Sequence, residues 1–257
     1  MNKTITIAAY NRPGNLRLLT DSLFDQQASF DDWKLHIRID AGGDKLDQVW
    51  AVAEEVGFVD TRIHRAKENE GINSNTYWLM SHVFDHEQAD YNLYLEDDLV
   101  LSPDALNVAN WYIENEAHLL ATPDLDDIGA LCLCKLHDMG RDSLTDLFFS
   151  RAFVGWGFLM SKRQWWAYGN PAWTTADALW GRPMMWDNSV ANYIRERGGR
   201  IYNLFPTCSR VTNTGREGVH FTPEKYDKRM TGHVYQQEHK VFDYQWGGWA
   251  SEPQARS

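Results

Sequence analysis

A chain of 257 residues, 43% hydrophobic and 24% charged, is long enough to bury a substantial core, as one large domain or two closely joined halves. Its net charge of −11 disfavours a general nucleic-acid binder, which needs clustered Lys and Arg to neutralise phosphates. No stretch reaches the roughly 18 uninterrupted apolar residues of a membrane span, and MNKTITIAAY runs into a strand pattern instead of a cleavable signal, so a soluble, cytoplasmic protein is expected.

The average charge hides an asymmetry. From Glu68 to Cys134 there is no Lys or Arg against fourteen acids, whereas residues 151–235 hold twelve Lys or Arg against six acids. An acidic zone facing a basic one suits a cation and an anionic ligand held between them, although two solvated faces would give the same count. Cys132, Cys134 and Cys208 are too few and too unevenly placed for a disulfide framework, so buried free thiols are expected, with zinc near His137 as the alternative.

Along the first half, strand and helix signals alternate. Residues 4–9 form a first strand, 11–14 a turn, and Asn15 caps a helix carrying Leu16, Leu19 and Leu23. Leu35 to Asp40 is apolar at every second position, and after Gly42-Gly43 a helix carries Val49, Ala53 and Val56. Residues 61–64 make a weaker strand, 75–84 a helix, and 91–95 another strand ending in Glu96-Asp97-Asp98. Ser102-Pro103-Asp104 reads as the capped start of a further helix.

The second half is less regular. Strands are expected at 127–134 and 200–211, a glycine-interrupted extended segment at 148–160, a helix at 185–197 closed by Gly198-Gly199, and a loose tail from Gln245. Twelve tryptophans are a heavier load than a core of this size usually needs; most are expected to be structural, and those between 150 and 190 make aromatic-rich the region expected to bind an acceptor.

Repeated βα units imply a mostly parallel sheet whose ligands lie outside the strands' carboxyl ends. That rule places Asn11-Arg12, Asp40 and Glu96-Asp97-Asp98 along one edge. Like charges stacked at a strand end call for a positive partner, and carboxylate oxygens are hard ligands suited to Mg²⁺ or Mn²⁺. Side chains alternate along an extended chain, so Glu96 and Asp98 point one way and Asp97 the other.

These residues resemble a known family. Leu95-Glu96-Asp97-Asp98-Leu99 with Ser102-Pro103-Asp104 is similar to the metal-binding motif of GT-A glycosyltransferases, in the form of the N-acetylglucosaminyltransferase I and protein O-mannose N-acetylglucosaminyltransferase family. Residues 7–12 resemble its first strand and nucleotide-contacting turn, and 39–42 its second strand, whose aspartate reads the uracil. Residues 153–158 resemble the glycine-rich segment before the acceptor region, Trp186-Asp187 the segment carrying the catalytic base, and 209–220 the closing loop. The matches run in order from about residue 5 to 222. The chain departs from the family at Asn75, aligned with a nucleotide-contacting histidine, and at His220, where serine is expected.

The resemblance implies an α/β GT-A fold: a Rossmann-like, mostly parallel central sheet flanked by helices, with a mixed C-terminal half. It implies a single catalytic domain over 1–257, with a nucleotide-sugar half to about 130 and an acceptor half with a closing loop beyond. The implied reaction is an inverting transfer of GlcNAc or another sugar from a UDP-sugar to an acceptor hydroxyl. Asp98 would hold Mn²⁺ or Mg²⁺ and Asp187 would be the general base, with Asp177 a substitute. Arg12, Asp40, Asn75, Glu96, Asp97 and Arg216 would contact the donor, and Gly155, Trp156 and His220 would line the acceptor or donor loop. From spacing alone Asp187 reads first as a helix cap, an order that the resemblance reverses; the alternatives at Arg12 and Trp156 are a solvated turn arginine and a core residue. The acceptor is a glycan, polysaccharide, small molecule or modified nucleobase. Rival classes are a sugar nucleotidyltransferase, for which residues 11–14 are a poor phosphate loop, and a non-catalytic carbohydrate-binding protein.

Overall fold

The computed structural model describes residues 1–26, 29–135, 143–175, 185–216, 222–230, 233, 235–237, 241 and 243–249. Among them the strands are β1 (Lys3–Ala9), β2 (Trp33–Ile39), β3 (Asp60–Arg65), β4 (Tyr91–Glu96), β5 (Leu99–Leu101), β6 (Asp127–Cys132), β7 (Asp146–Ser150), β8 (Phe158–Ser161), β9 (Ile201–Pro206), β10 (Val211–Asn213) and β11 (Gln245–Trp249). The α-helices are α1 (Pro13–Phe24), α2 (Leu46–Glu54), α3 (Gly71–Ser81), α4 (Ala105–Leu120), α5 (Lys162–Gln164), α6 (Asn170–Thr175), α7 (Trp186–Glu196) and α8 (Pro223–Met230), with π-helical turns at His82–His86 and Trp165–Gly169.

Nine strands form one sheet in the order β11-β7-β9-β6-β8-β4-β1-β2-β3, and β10 pairs antiparallel with β5. The β4-β1-β2-β3 half is wholly parallel; β8 runs antiparallel to both β4 and β6 and joins it to the mixed half. Parallel register sets Ala8 beside Glu96 and Ala9 beside Ile39, which brings the carboxyl ends of three strands together. The central strands are buried on both faces because helices cover both: even the polar positions of β2, His36 and Arg38, are buried. No helix among the described residues is long and apolar enough to cross a membrane.

Several boundaries differ from expectation. The first helix starts at Pro13 with Arg12 as N-cap, since proline is preorganised for the first helical position. Asn15 therefore lies inside the first turn and donates to Thr214 Oγ1 at 3.0 Å. The helix expected from Ser102 begins at Ala105, because the Ser102 hydroxyl is turned onto Asp104 Oδ1 and its carbonyl accepts the Ala105 amide. Of the tail expected to be loose from Gln245, residues 245–249 add an edge strand beside β7, and the rest lies outside the described residues.

The tryptophans of the second half are mostly core. Trp165, Trp173 and Trp186 are fully buried, and Trp173 stacks on Trp186 at 4.9 Å, so the region expected to meet an acceptor is largely packing. Trp166 is exposed, and Trp180 lies outside the described residues. All three cysteines are buried and outside disulfides; His137 is outside the described residues.

Candidate active site

The site forms where β4 runs out between β1 and β8. Tyr91 to Leu95 are apolar or buried, and the chain turns at Asp97-Asp98 before β5, which leaves three carboxylates at the sheet's carboxyl edge. Asp97 Oδ2 accepts the Tyr10 amide at 3.0 Å, and the Asp97 amide donates to Ala8 carbonyl at 3.2 Å. Asp98 Oδ1 accepts from Asn213 Nδ2 at 3.0 Å, while its carbonyl takes the Thr214 amide at 2.7 Å and hydroxyl at 2.9 Å. The first part of the expected closing loop is therefore a fixed strap, β10 with Thr214, that orients Asp98.

Arg12 closes the acidic cluster. Its Nη2 donates to Asp97 Oδ1 at 2.5 Å and its Nη1 to Asp98 Oδ2 at 2.6 Å. The resemblance gives Arg12 to the nucleotide; in the structure its fork lies on the two aspartates. The guanidinium remains 34% exposed while Asp98 is 9% exposed, so the arginine is the outward member of the pair.

One guanidinium does not neutralise the cluster. Burial, then the charges of Asp98 and Asp187, push the Glu96 carboxyl well above the usual range, and burial raises Asp97 to about 6 against the opposing pull of Arg12. Hard carboxylate oxygens are of the type that suits Mn²⁺ or Mg²⁺, but both Asp98 oxygens are engaged here, Oδ1 by Asn213 and Oδ2 by Arg12, so an ion at Asp98 would have to displace the guanidinium.

Asp187 reaches this cluster from the other half of the chain. It sits in the first turn of α7, with Met185 as N-cap, so the cap role that its spacing allowed falls to another residue. Its Oδ1 accepts the Asn188 amide at 2.8 Å. Burial raises its pKa, with that amide and the Arg229 charge acting in the opposite direction. Gly155 makes the approach possible: a Cβ there would stand 2.8 Å from the Trp186 ring and 3.0 Å from Asp187 Cβ. Trp156 is buried, with the Arg229 guanidinium 5.1 Å from its ring.

Other sequence-predicted residues lie elsewhere or carry structural tasks. Asp40 is buried, and its oxygens accept the amides of Ala41, Glu70 and Gly71 at 2.9–3.0 Å, capping α3 from β2. Asn75 is buried and accepts from Arg38, which is also bidentate to Glu70. Arg216 is exposed and pairs with Asp227 at 2.8 Å. Asp177, His220 and the centre of the closing loop lie outside the described residues.

Sequence reasoning missed Asn213, Thr214, Tyr226 and Arg229. Tyr226 donates to the Asn213 carbonyl and thereby lays α8 beside the acids. Only the alternation of Val211 and Asn213 in a short strand hinted at an inward amide; nothing local marks α8, whose exposed, charged sequence reads as a solvated helix.

No protein-family model matches the chain, and no curated protein sequence matches it. Solved structures do. A mannosyltransferase from Pyrobaculum calidifontis, solved with GDP-Man and Mn²⁺, aligns at TM-score 0.50 and 16% identity over 79% of this chain and 54% of its own. TarS of S. aureus, residues 1–349 solved with UDP-GlcNAc, aligns at TM-score 0.53 and 15% identity over 90% of this chain and 64% of its own. The chain thus shares with those two structures an α/β fold, with a large, mostly parallel central sheet flanked by helices. It spans between half and two thirds of the length of those structures.

Proposed function

We propose that the protein is a metal-dependent, inverting glycosyltransferase that moves a sugar from a UDP-sugar to an acceptor hydroxyl. The observation that carries this reading is the meeting of Glu96-Asp97-Asp98, at the joined carboxyl ends of β4 and β1, with Asp187 from α7. In a parallel sheet this edge is where a nucleotide binds. A likeness in fold to proteins solved with UDP-GlcNAc or with GDP-Man and Mn²⁺ supports it.

In this reading Asp98 would hold Mn²⁺ or Mg²⁺, and the bound ion would supply positive charge against the charge developing on the departing diphosphate. Asp97 and Glu96 take donor hydroxyls, and Arg12 and Arg216 turn to the phosphates. Asp187 accepts the proton of the acceptor hydroxyl as its oxygen attacks the anomeric carbon from the face opposite the diphosphate. The carbon–oxygen bond to UDP breaks with its electron pair, and UDP leaves. Raised by burial, the Asp187 carboxylate is a stronger base than an exposed aspartate.

The decisive measurement is the melting temperature with UDP and Mn²⁺ together. It should rise in the wild type and stay flat in Asp98→Ala, and a flat wild-type curve overturns the reading. The fork of Arg12 across Asp97 and Asp98 supports a second form of it, in which the guanidinium itself serves as the cation. UDP binding that persists in EDTA and disappears in Arg12→Ala selects that form.

A further inference from the structure

A second cluster lies on the opposite flank of the nucleotide half, where β2 and β3 meet the end of α3. His36 comes from β2, His64 from β3 and His82 from the π-turn, and a ring nitrogen from each lies within 4.8 Å of the other two. Among the described residues no other group of this kind occurs. His36 Nδ1 and His64 Nε2 are hydrogen-bonded to each other at 3.2 Å, a proton standing where an ion would bridge them. Two nitrogens bound tetrahedrally at about 2.0–2.1 Å from Zn²⁺ lie about 3.3 Å apart, so this pair is already at ligand spacing.

A core histidine normally spends both ring nitrogens on protein partners. Here the orphan nitrogen of the cluster is His82 Nε2, buried without a hydrogen-bond partner; the fully buried His36 also has an unpartnered nitrogen, but it is Nε2, not the Nδ1 that meets His64. The rings are nevertheless held in place: Trp78 stacks on His82 at 4.6 Å and 7°, and tilts against His64 at 5.2 Å. The neighbouring cations do not oppose a metal strongly, because Arg38 is paired with Glu70 and Arg62 with Glu87. Glu87 Oε1 stands 3.6 Å from His82 Nε2, which puts a carboxylate at the margin of the cluster. Access exists as well: His82 and His86 line a groove of about 290 Å³ that also borders Ser74, Ser81 and Trp78.

We infer that His36, His64 and His82 form a binding site for a borderline divalent transition metal of the Zn²⁺, Co²⁺ and Ni²⁺ class, separate from the acidic cluster. Imidazole nitrogen selects these ions, whereas the carboxylates at β4 select Mg²⁺ or Mn²⁺. Three protein ligands leave a fourth position for water. The bound ion would tie β2 and β3 to the end of α3, the helix whose first turn is capped by Asp40 and whose Asn75 holds Arg38.

The full chain, stripped with EDTA, is titrated with ZnCl₂ by calorimetry and with CoCl₂ by visible absorption. One Zn²⁺ per chain is expected, with intense cobalt bands of a tetrahedral nitrogen site and a rise in melting temperature of about 5–10 °C at a hundredfold excess over Kd. His64→Gln and His82→Gln are the informative variants, since both side chains are partly exposed and a metal-free urea melt verifies their folding. Each should weaken Zn²⁺ by at least the roughly 10–100-fold that loss of a mere supporting partner costs. Asp98→Ala should bind Zn²⁺ unchanged. Absence of saturable Zn²⁺ binding in the folded wild type, affinity undiminished in the His64→Gln and His82→Gln variants, or loss of binding in Asp98→Ala would each overturn the assignment.

Discussion

Gly215→Ala probes how Asp98 is held. Gly215 is not in the left-handed region, so the added methyl meets only a question of space. Its Cβ would stand 2.1 Å from Asp98 Oδ2 and 3.0 Å from Arg12 Nη1, whereas ordinary contact begins at 3.4 Å. The carboxylate must retreat by about 1.3 Å, the difference between 3.4 and 2.1 Å, and that breaks its 2.6 Å bond to Arg12 or its 3.0 Å bond to Asn213. Overpacking of this kind costs about 1–3 kcal/mol. For a chain of this size that lowers Tm by about 2–12 °C. The larger effect should fall on the ligand: with Asp98 displaced, UDP and Mn²⁺ together no longer raise Tm. Gly14→Ala is the control, since nothing lies within 4 Å of its Cβ and alanine suits a helix's first turn, giving a gain of about 0.4–1 kcal/mol. Differential scanning fluorimetry with and without UDP and Mn²⁺ reads all of this. If Gly215→Ala melts like the wild type and keeps the full ligand-induced rise, Asp98 is not confined as described.

Asp187→Asn should leave UDP binding intact and lower the transfer rate by about 10²–10⁴; a variant that turns over normally removes Asp187 from the chemistry. Because burial raises the Asp187 pKa, its base form is present above that raised value and is lost as pH falls through it, so the acid limb of kcat/KM should lie above the ordinary aspartate value of 3.8. Arg229 pulls the same group down, and Arg229→Met should therefore move the limb to higher pH; an unmoved limb uncouples the two. The Arg210–Asp104 pair is wholly buried at 3.0 Å, with Tyr244 donating to the same carboxylate at 2.8 Å. Asp104→Ala leaves a buried guanidinium uncompensated and should cost about 3–5 kcal/mol, on the order of 10 °C in Tm. A loss below 1 kcal/mol in urea melts would mean that Arg210 finds water there.

The fold and the acidic edge were legible because both are written in local pattern. Alternating strand and helix periodicities require a parallel sheet, and such a sheet puts strand ends, hence Arg12, Asp40 and Glu96-Asp97-Asp98, on one side. Side-chain partners are not local. Arg12 lies next to Asp97 and Asp98 only because β1 and β4 pair in parallel register, and its engagement there instead of outward follows from the depth of two carboxylates in a poorly screened environment. That Asp40 also accepts the first amides of α3 could not be read from its own segment. The three histidines are 28 and 18 residues apart in sequence, a spacing without a motif, and only the pairing of β2 with β3 under the end of α3 assembles them. Sequence settled which groups reach the sheet edge, since periodicity and turns act over a few residues; tertiary structure alone decided what each charge faces, since that depends on contacts made across the whole chain.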